Sequence, residues 1–258
     1  MEVIVVPTAL EVATAAAGIV SRLVAAKPRA VLGLATGASV ERVYAELALA
    51  HRNHALDFSK VTTFNLDEYV GLSRSHPGSF HAFMEEHFLS RVNVERRRVH
   101  MPPTEGGDLA RLCEKYERDI RAAGGIDLQL LGIGRDGHLG FNEPTSSLAS
   151  RTRIKTLTGL TREANRSAFG GGEVPLHVVT MGIGTILEAR HCLLVADGPA
   201  KADAVARMVE GPLTAMVPAS ALQLHPHATV IVDEAAAAGL SLRDYYHEVQ
   251  RNKPDWQR

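Results

Sequence analysis

Cysteine is nearly absent from this chain, and so is any excess of charge of one sign. The two cysteines, Cys113 and Cys192, stand in separate apolar-patterned segments. Neither has a CxxC companion or a histidine at zinc-ligand spacing, so the sequence offers no disulfide framework and no local zinc motif, and a reducing, cytoplasmic setting is expected. The formal net charge is -1, which leaves no basic excess to draw nucleic acid or anionic lipid. Small molecules are the partners the composition favours. Long apolar runs are missing too. The opening MEVIVVPTALEVATAAAGIV lacks a basic leading segment and is interrupted by Pro7 and Glu11, which argues against a signal peptide or a membrane span. No later stretch reaches ~18 unbroken apolar residues. With no internal repeat and no low-complexity linker, residues 1–258 read as one domain, long enough to bury a large core.

What is present is an alternation of short aliphatic runs and longer stretches of helical period. VIVV (Val3 to Val6) precedes a helix over Thr8 to Ala26, and AVLGLA (Ala30 to Ala35) precedes one over Ser39 to Arg52. KVTTFNL (Lys60 to Leu66) follows, then helices near Ser79 to Leu89 and Asp108 to Ala123, then IDLQLLGIG (Ile126 to Gly134). HCLLVAD (His191 to Asp197), a helix over Pro199 to Val209 and ATVIVDE (Ala228 to Glu234) complete the series. The strand candidates are apolar throughout, as a parallel sheet covered on both faces requires. The expected fold is α/β, a Rossmann-like three-layer sandwich around a mostly parallel sheet. The polar stretch Thr156 to Pro175, with Gly170, Gly171 and Gly172 in it, is expected to be a mobile flap, the lid segment extending over about 156–184.

Open parallel sheets gather ligands beyond the carboxyl ends of their strands. After AVLGLA, residues Thr36, Gly37, Ala38 and Ser39 form a small-residue turn opening a helix. Its amides and the helix dipole suit a phosphate, while Ser39 also reads as a plain N-cap. After VTTFNL come Asp67 and Glu68, which point to opposite sides of an extended chain. Asp67 is the one expected in a pocket, as a general base or as an acceptor for loop amides. After IDLQLL the spacing Gly132-x-Gly134-x-x-Gly137 imitates a dinucleotide fingerprint. The required helix and distal acid do not follow: Gly140 and Pro144 oppose a helix, and Arg151, Arg153 and Lys155 stand where the acid belongs. What remains is His138 bracketed by Asp136 and Glu143, a histidine whose charged form carboxylates can stabilise for proton transfer. At the fourth end, Lys201 falls in the first turn of a helix, where the dipole disfavours a cation. A bound phosphate offsets that repulsion, and a solvated lysine tolerates it.

Together these motifs resemble the glucosamine-6-phosphate deaminase (glucosamine-6-phosphate isomerase) family, related to the 6-phosphogluconolactonases. The likeness rests on GLATGAS, VTTFNLDEYVGLSRSHPGSFHAFM, LLGIGRDGHLGFNEPTSSLASRTRIKTLT, GIGTILEA and LQLHPHATVIVDE, and it spans almost the whole chain. The resemblance implies conversion of glucosamine 6-phosphate and water to fructose 6-phosphate and ammonia, with no metal and no cofactor, in amino-sugar catabolism and in the hydrolase class. By that analogy His138 opens the pyranose ring, with Asp136 and Glu143 holding and polarising it. Asp67 moves the proton from carbon 2 through an enediol-type intermediate. Thr36 to Ser39 and Lys201 hold the phosphate, and the flap closes over the sugar. Hexameric members are activated by N-acetylglucosamine 6-phosphate through residues matching Ser146, Arg153 and Lys155; other members are monomers, so the assembly stays open.

Two departures stand out. The family's phosphate arginine lies in a run such as ANSRF, whereas this chain reads ANRSAF, placing Ser167 at that position and Arg166 one residue earlier. On a helix that rotates the side chain by ~100°, and Arg166 is carried as a candidate. TGASV also replaces TGSTP, which keeps the anion-binding amides. The rival readings are a deaminase for an epimer such as galactosamine 6-phosphate, a lactonase, and a non-catalytic sugar-phosphate sensor. A lactonase needs no base at carbon 2, and a sensor needs a DNA-binding segment that is not found before Val3.

Overall fold

The computed structural model describes residues 1–254, with the side chains of all but Leu160, Ala164, Ser167 and Ala168. The elements in chain order are β1 (Glu2–Val6), α1 (Ala9–Ala26), β2 (Val31–Leu34), α2 (Ala38–Arg52), β3 (Thr62–Asn65) and β4 (Asp67–Tyr69). These are followed by α3 (Phe80–Met84), β5 (Val99–His100), α4 (Leu109–Ala122), β6 (Leu128–Leu131), β7 (Arg153–Thr156) and α5 (Gly159–Asn165). The last are β8 (His177–Thr180), α6 (Ile183–Leu187), β9 (Cys192–Ala196), α7 (Ala202–Val209), β10 (Ala228–Asp233) and α8 (Arg243–Arg251).

Seven strands form a parallel sheet in the order β1-β10-β9-β6-β2-β3-β5, flanked by helices. The fully apolar runs become its interior: every residue of β2, β6, β9 and β10 is buried, whereas the edge strand β1 alternates. Helix starts follow local chemistry. Thr8, Ser79, Asp108 and Thr158 each accept a backbone N–H three residues on, from Glu11, Ala82, Arg111 and Thr161, which satisfies one of the amides a helix leaves open. Among the described residues α1 is the one helix long and apolar enough to cross a membrane. Here its Val12, Ala16, Val20 and Val24 stripe is buried, and it packs against α2, β9 and β10.

The sequence patterns miss a second sheet. Strands β4, β8 and β7 form an antiparallel ribbon in which Asp67 pairs with Thr180 and Tyr69 with Val178. It joins the main sheet at Leu66, whose N–H donates to Leu34 O (2.8 Å) and whose carbonyl accepts from Met181 N (2.7 Å). A satellite core of Tyr69, Phe141, Leu157, Val174 and Val178 packs beneath the expected flap. The span expected as a lid is therefore too long at its end: residues 177–180 form β8, paired on both sides with Val178 and Val179 fully buried.

Chain direction reverses between β2 and β6. From β2 the chain moves outward to β3, and from β6 it moves the other way to β9. The loops after these two strands diverge, and such a switch point opens a crevice at the carboxyl edge of the sheet.

Candidate active site

That crevice is a cleft of about 820 Å³. Its walls bring together Thr36 to Ser39 after β2, Asp67 at the start of β4, Asp136 and His138 after β6, and Lys201 before α7. Six separate chain segments meet there once Phe80 and Phe83 of α3 and Thr161 and Asn165 of α5 are included.

Of the glycines after β6, Gly134 is the one that makes room for the histidine. Gly134 N–H donates to His138 O (3.0 Å) and Gly137 N–H to Gly134 O (3.0 Å), so Arg135 and Asp136 occupy a tight turn at the cleft mouth. A Cβ on Gly134 would lie 2.1 Å from the His138 ring, so only glycine lets the imidazole lie against that backbone. Gly140, at φ 57°, sits where a Cβ would come within 3.1 Å of the Asp67 carboxylate and 2.9 Å of the Thr180 hydroxyl. Gly134, from the spacing that imitates a nucleotide turn, and Gly140 beyond it thus allow close packing around His138 and Asp67.

His138 Nδ1 and Asp136 Oδ1 are 2.6 Å apart, and Asp136 also accepts the His138 N–H (3.2 Å). Chiefly through the imidazole bond, Asp136 is held down at about 2, so it stays ionised and Nδ1–H donates to it. That fixes the tautomer and leaves Nε2 for proton exchange.

Asp67 is opposite in character. It is 5% exposed, and burial, with the Glu68 charge second, pushes its carboxyl up to about 8. Desolvation disfavours the anion and so strengthens the base. Glu68 faces away and accepts the N–H groups of Tyr69 (2.9 Å), Phe80 (3.0 Å) and His81 (2.7 Å). It lines a separate cavity with His81 and His100. The opposite facing expected of this pair is observed.

The third corner is α2. Gly37, at φ 124°, is its N-cap without a side-chain bond, so Ser39 is not the cap; it stands inside the first turn, and Gly37 to Val40 line the cleft. Lys201 differs from expectation in detail. It ends a 3-10 turn over Pro199–Lys201 and is the N-cap of α7, not a residue of its first turn. Its ammonium donates to Ile133 O (2.6 Å), which fixes it to the loop carrying His138. Burial, then the nearby Arg135 charge, lowers its pKa. Among the described residues no group of His, Cys, Asp and Glu is arranged to hold a metal ion.

Residues 7–231 match the family described as glucosamine-6-phosphate isomerases/6-phosphogluconolactonase. The chain belongs to that family. A glucosamine-6-phosphate deaminase of Arthrobacter sp. (strain FB24) is 52% identical, covering 100% of this chain and 99% of the relative. One of Streptomyces avermitilis is 51% identical over the same shares. A monomeric glucosamine-6-phosphate deaminase of solved structure superposes with a TM-score of 0.89 at 42% identity, over 93% of this chain and 100% of that one. The 6-phosphogluconolactonase of Trypanosoma brucei shares the fold, with a TM-score of 0.74 at 19% identity over 93% and 98% of the two chains.

The glucosamine-6-phosphate isomerase likeness carried three further expectations that the geometry alters. Glu143 does not hold the imidazole: its carboxylate accepts the Thr161 hydroxyl and so ties the loop after β6 to α5. Arg166 is exposed, pairs with Glu163 (3.2 Å) and is not among the cleft walls; the Ser167 side chain lies outside the described residues. Ser146, Arg153 and Lys155 do not form an open effector site. Ser146 is 3% exposed with its hydroxyl unpartnered, and Arg153 donates to Asn142 Oδ1 (2.9 Å) and Arg151 O (3.2 Å). Lys155 shares the Arg153 side of β7. Sequence reasoning missed Arg135, Thr161 and Phe141 in the cleft. Arg135 was visible as the residue beside Asp136; the other two needed the fold.

Proposed function

We propose that the chain is a glucosamine-6-phosphate deaminase of amino-sugar catabolism, forming fructose 6-phosphate and ammonia without a metal or cofactor. The observation that carries this reading is the presence of Asp67 and His138 in one cleft: ring opening and enolisation need two separately placed proton carriers. Half-identical relatives of that name support it.

In this reading His138 Nε2 takes the proton of the anomeric hydroxyl and returns one to the ring oxygen, exposing the C1 aldehyde. Asp67 removes the C2 proton, and the electron pair forms the C1=C2 bond of an enol intermediate. Protonation at C1 places an imine at C2, water adds there, and ammonia leaves. The net consumption of water at a carbon–nitrogen bond is the ground for the hydrolase class. The α2 amides and Lys201 grip the phosphate, and α5 with its following glycines acts as the lid over the sugar, excluding water.

We infer a cytoplasmic monomer, supported by the monomeric solved relative and by an Arg153 already engaged within its own chain. Activation by N-acetylglucosamine 6-phosphate would require Ser146 and Arg153 to be released from their present surroundings. The test is ammonia release over glucosamine, galactosamine and mannosamine 6-phosphates, with 6-phosphogluconolactone as the contrast. Ammonia from the gluco epimer in preference to the others is expected. Lactone hydrolysis without ammonia release would overturn the proposal.

A further inference from the structure

We propose that Arg135 supplies the phosphate-binding guanidinium that the inverted ANRSAF run leaves missing, which makes it a determinant of sugar-phosphate affinity in this chain. The inference rests on the phosphate reading of the cleft and goes beyond it in assigning the arginine.

The geometry begins with the turn. Arg135 is one of two residues between Gly134 and Gly137, whose backbone bond (3.0 Å) closes the turn. Its partner on the tip, Asp136, is bonded to His138, so the two side chains divide the tip between proton transfer and an open cation. Arg135 is exposed at the cleft wall, and among the described residues it makes no hydrogen bond or ion pair.

Lys201 lines the same cleft, its ammonium fixed to Ile133 O, two residues before Arg135. The two cations are close enough that the Arg135 charge lowers the Lys201 pKa. Carboxylates do reach this corner, but both are committed. Asp197 pairs with Arg42 (3.0 Å), and Asp136 with His138 (2.6 Å). Arg42, the other arginine near the first turn of α2, is thereby also occupied and donates in addition to Ala38 O (3.3 Å). The cleft that the first turn of α2 lines thus also carries a lysine and an arginine with no bridging acid of their own. That arrangement costs repulsion when empty and matches a phosphate dianion, which a guanidinium can engage through two parallel N–H groups. Arg166 offers no such match, since it pairs with Glu163 away from the cleft walls.

The experiment compares Arg135→Gln, Arg135→Lys and Arg166→Gln with the wild type. Readouts are kcat and KM for ammonia release from glucosamine 6-phosphate, and binding of inorganic phosphate followed by calorimetry. Loss of a charged, bidentate contact predicts a KM raised about 10- to 100-fold in Arg135→Gln. Phosphate binding should weaken in parallel, with kcat within about threefold and the shape of its pH profile unchanged, and Arg135→Lys should recover part of the loss. Arg166→Gln should match the wild type. KM and phosphate binding unchanged in Arg135→Gln, or lost only in Arg166→Gln, would overturn the assignment. A wild type that binds phosphate but releases no ammonia would count against the deaminase reading alone, and the phosphate comparison would still decide the role of Arg135.

Discussion

Asp67 and Glu68 are consecutive in one three-residue strand, yet the first lines the cleft and the second a cavity behind it. Their separation makes Glu68 a fixed negative charge that raises the pKa of Asp67 without touching substrate. Glu68→Gln removes that charge while its amide oxygen still accepts the Tyr69 and Phe80 N–H groups, which share Oε1; the His81 N–H, bonded to Oε2, loses its acceptor. The acidic limb of the kcat/KM profile, expected near pH 8, should move to lower pH in this variant. A limb that stays in place would separate it from Asp67.

The same burial has a cost to the fold. The Asp67 carboxyl is raised from 3.8 to about 8 on folding, so between those values the native state keeps a proton that the unfolded chain releases. Its contribution favours folding fully at low pH and is lost as pH rises through about 8. Asp67→Asn carries no such penalty. Its melting temperature relative to wild type should increase from pH 5 to about pH 8 and level off above that, in thermal scans at constant ionic strength. A difference that does not change with pH would contradict the buried, raised carboxyl.

Asp136 fixes the tautomer of His138 through a 2.6 Å contact. Asparagine at this position can present N–H to Nδ1 and favour the tautomer with its proton on Nε2. Asp136→Asn should reduce kcat by ~100-fold or more, as expected when a proton carrier is lost, with KM changed far less. Steady-state rates within twofold of wild type would show that the contact does not serve catalysis.

Gly134→Ala is a geometric test of the loop. The added methyl would fall 2.1 Å from the imidazole, closer than any packing tolerates, so the ring must swing away. Loss of most activity is expected from a protein whose circular dichroism is that of the wild type. Full activity in this variant would mean that His138 works from another position.

How much of this was legible beforehand depends on sequence distance. The Asp136–His138 pair is two residues apart in one loop, and the bracketed histidine could be read directly. Six of the seven strands of the main sheet are equally plain, because runs such as β9 and β10 are unbroken and aliphatic and buried parallel strands leave no alternation to confuse them; the two-residue edge strand β5 is too short to show. The second sheet was hidden. Asp67 pairs with Thr180, over a hundred positions away, and DEY and HVVT are too short and too mixed to announce strands. For the same reason the lid was drawn too long into β8. The resemblance puts Glu143 on His138, to which it is near in sequence; its partner in the structure, Thr161, comes from α5, 18 positions further along the chain.

The most direct test of the central claim, that Asp67 and His138 perform separate proton transfers on one amino-sugar phosphate, measures ammonia and fructose 6-phosphate together from glucosamine 6-phosphate, for wild type and Asp67→Asn. Equal amounts of both products from the wild type and neither from Asp67→Asn are predicted. Ammonia released by Asp67→Asn at the wild-type rate would contradict the account.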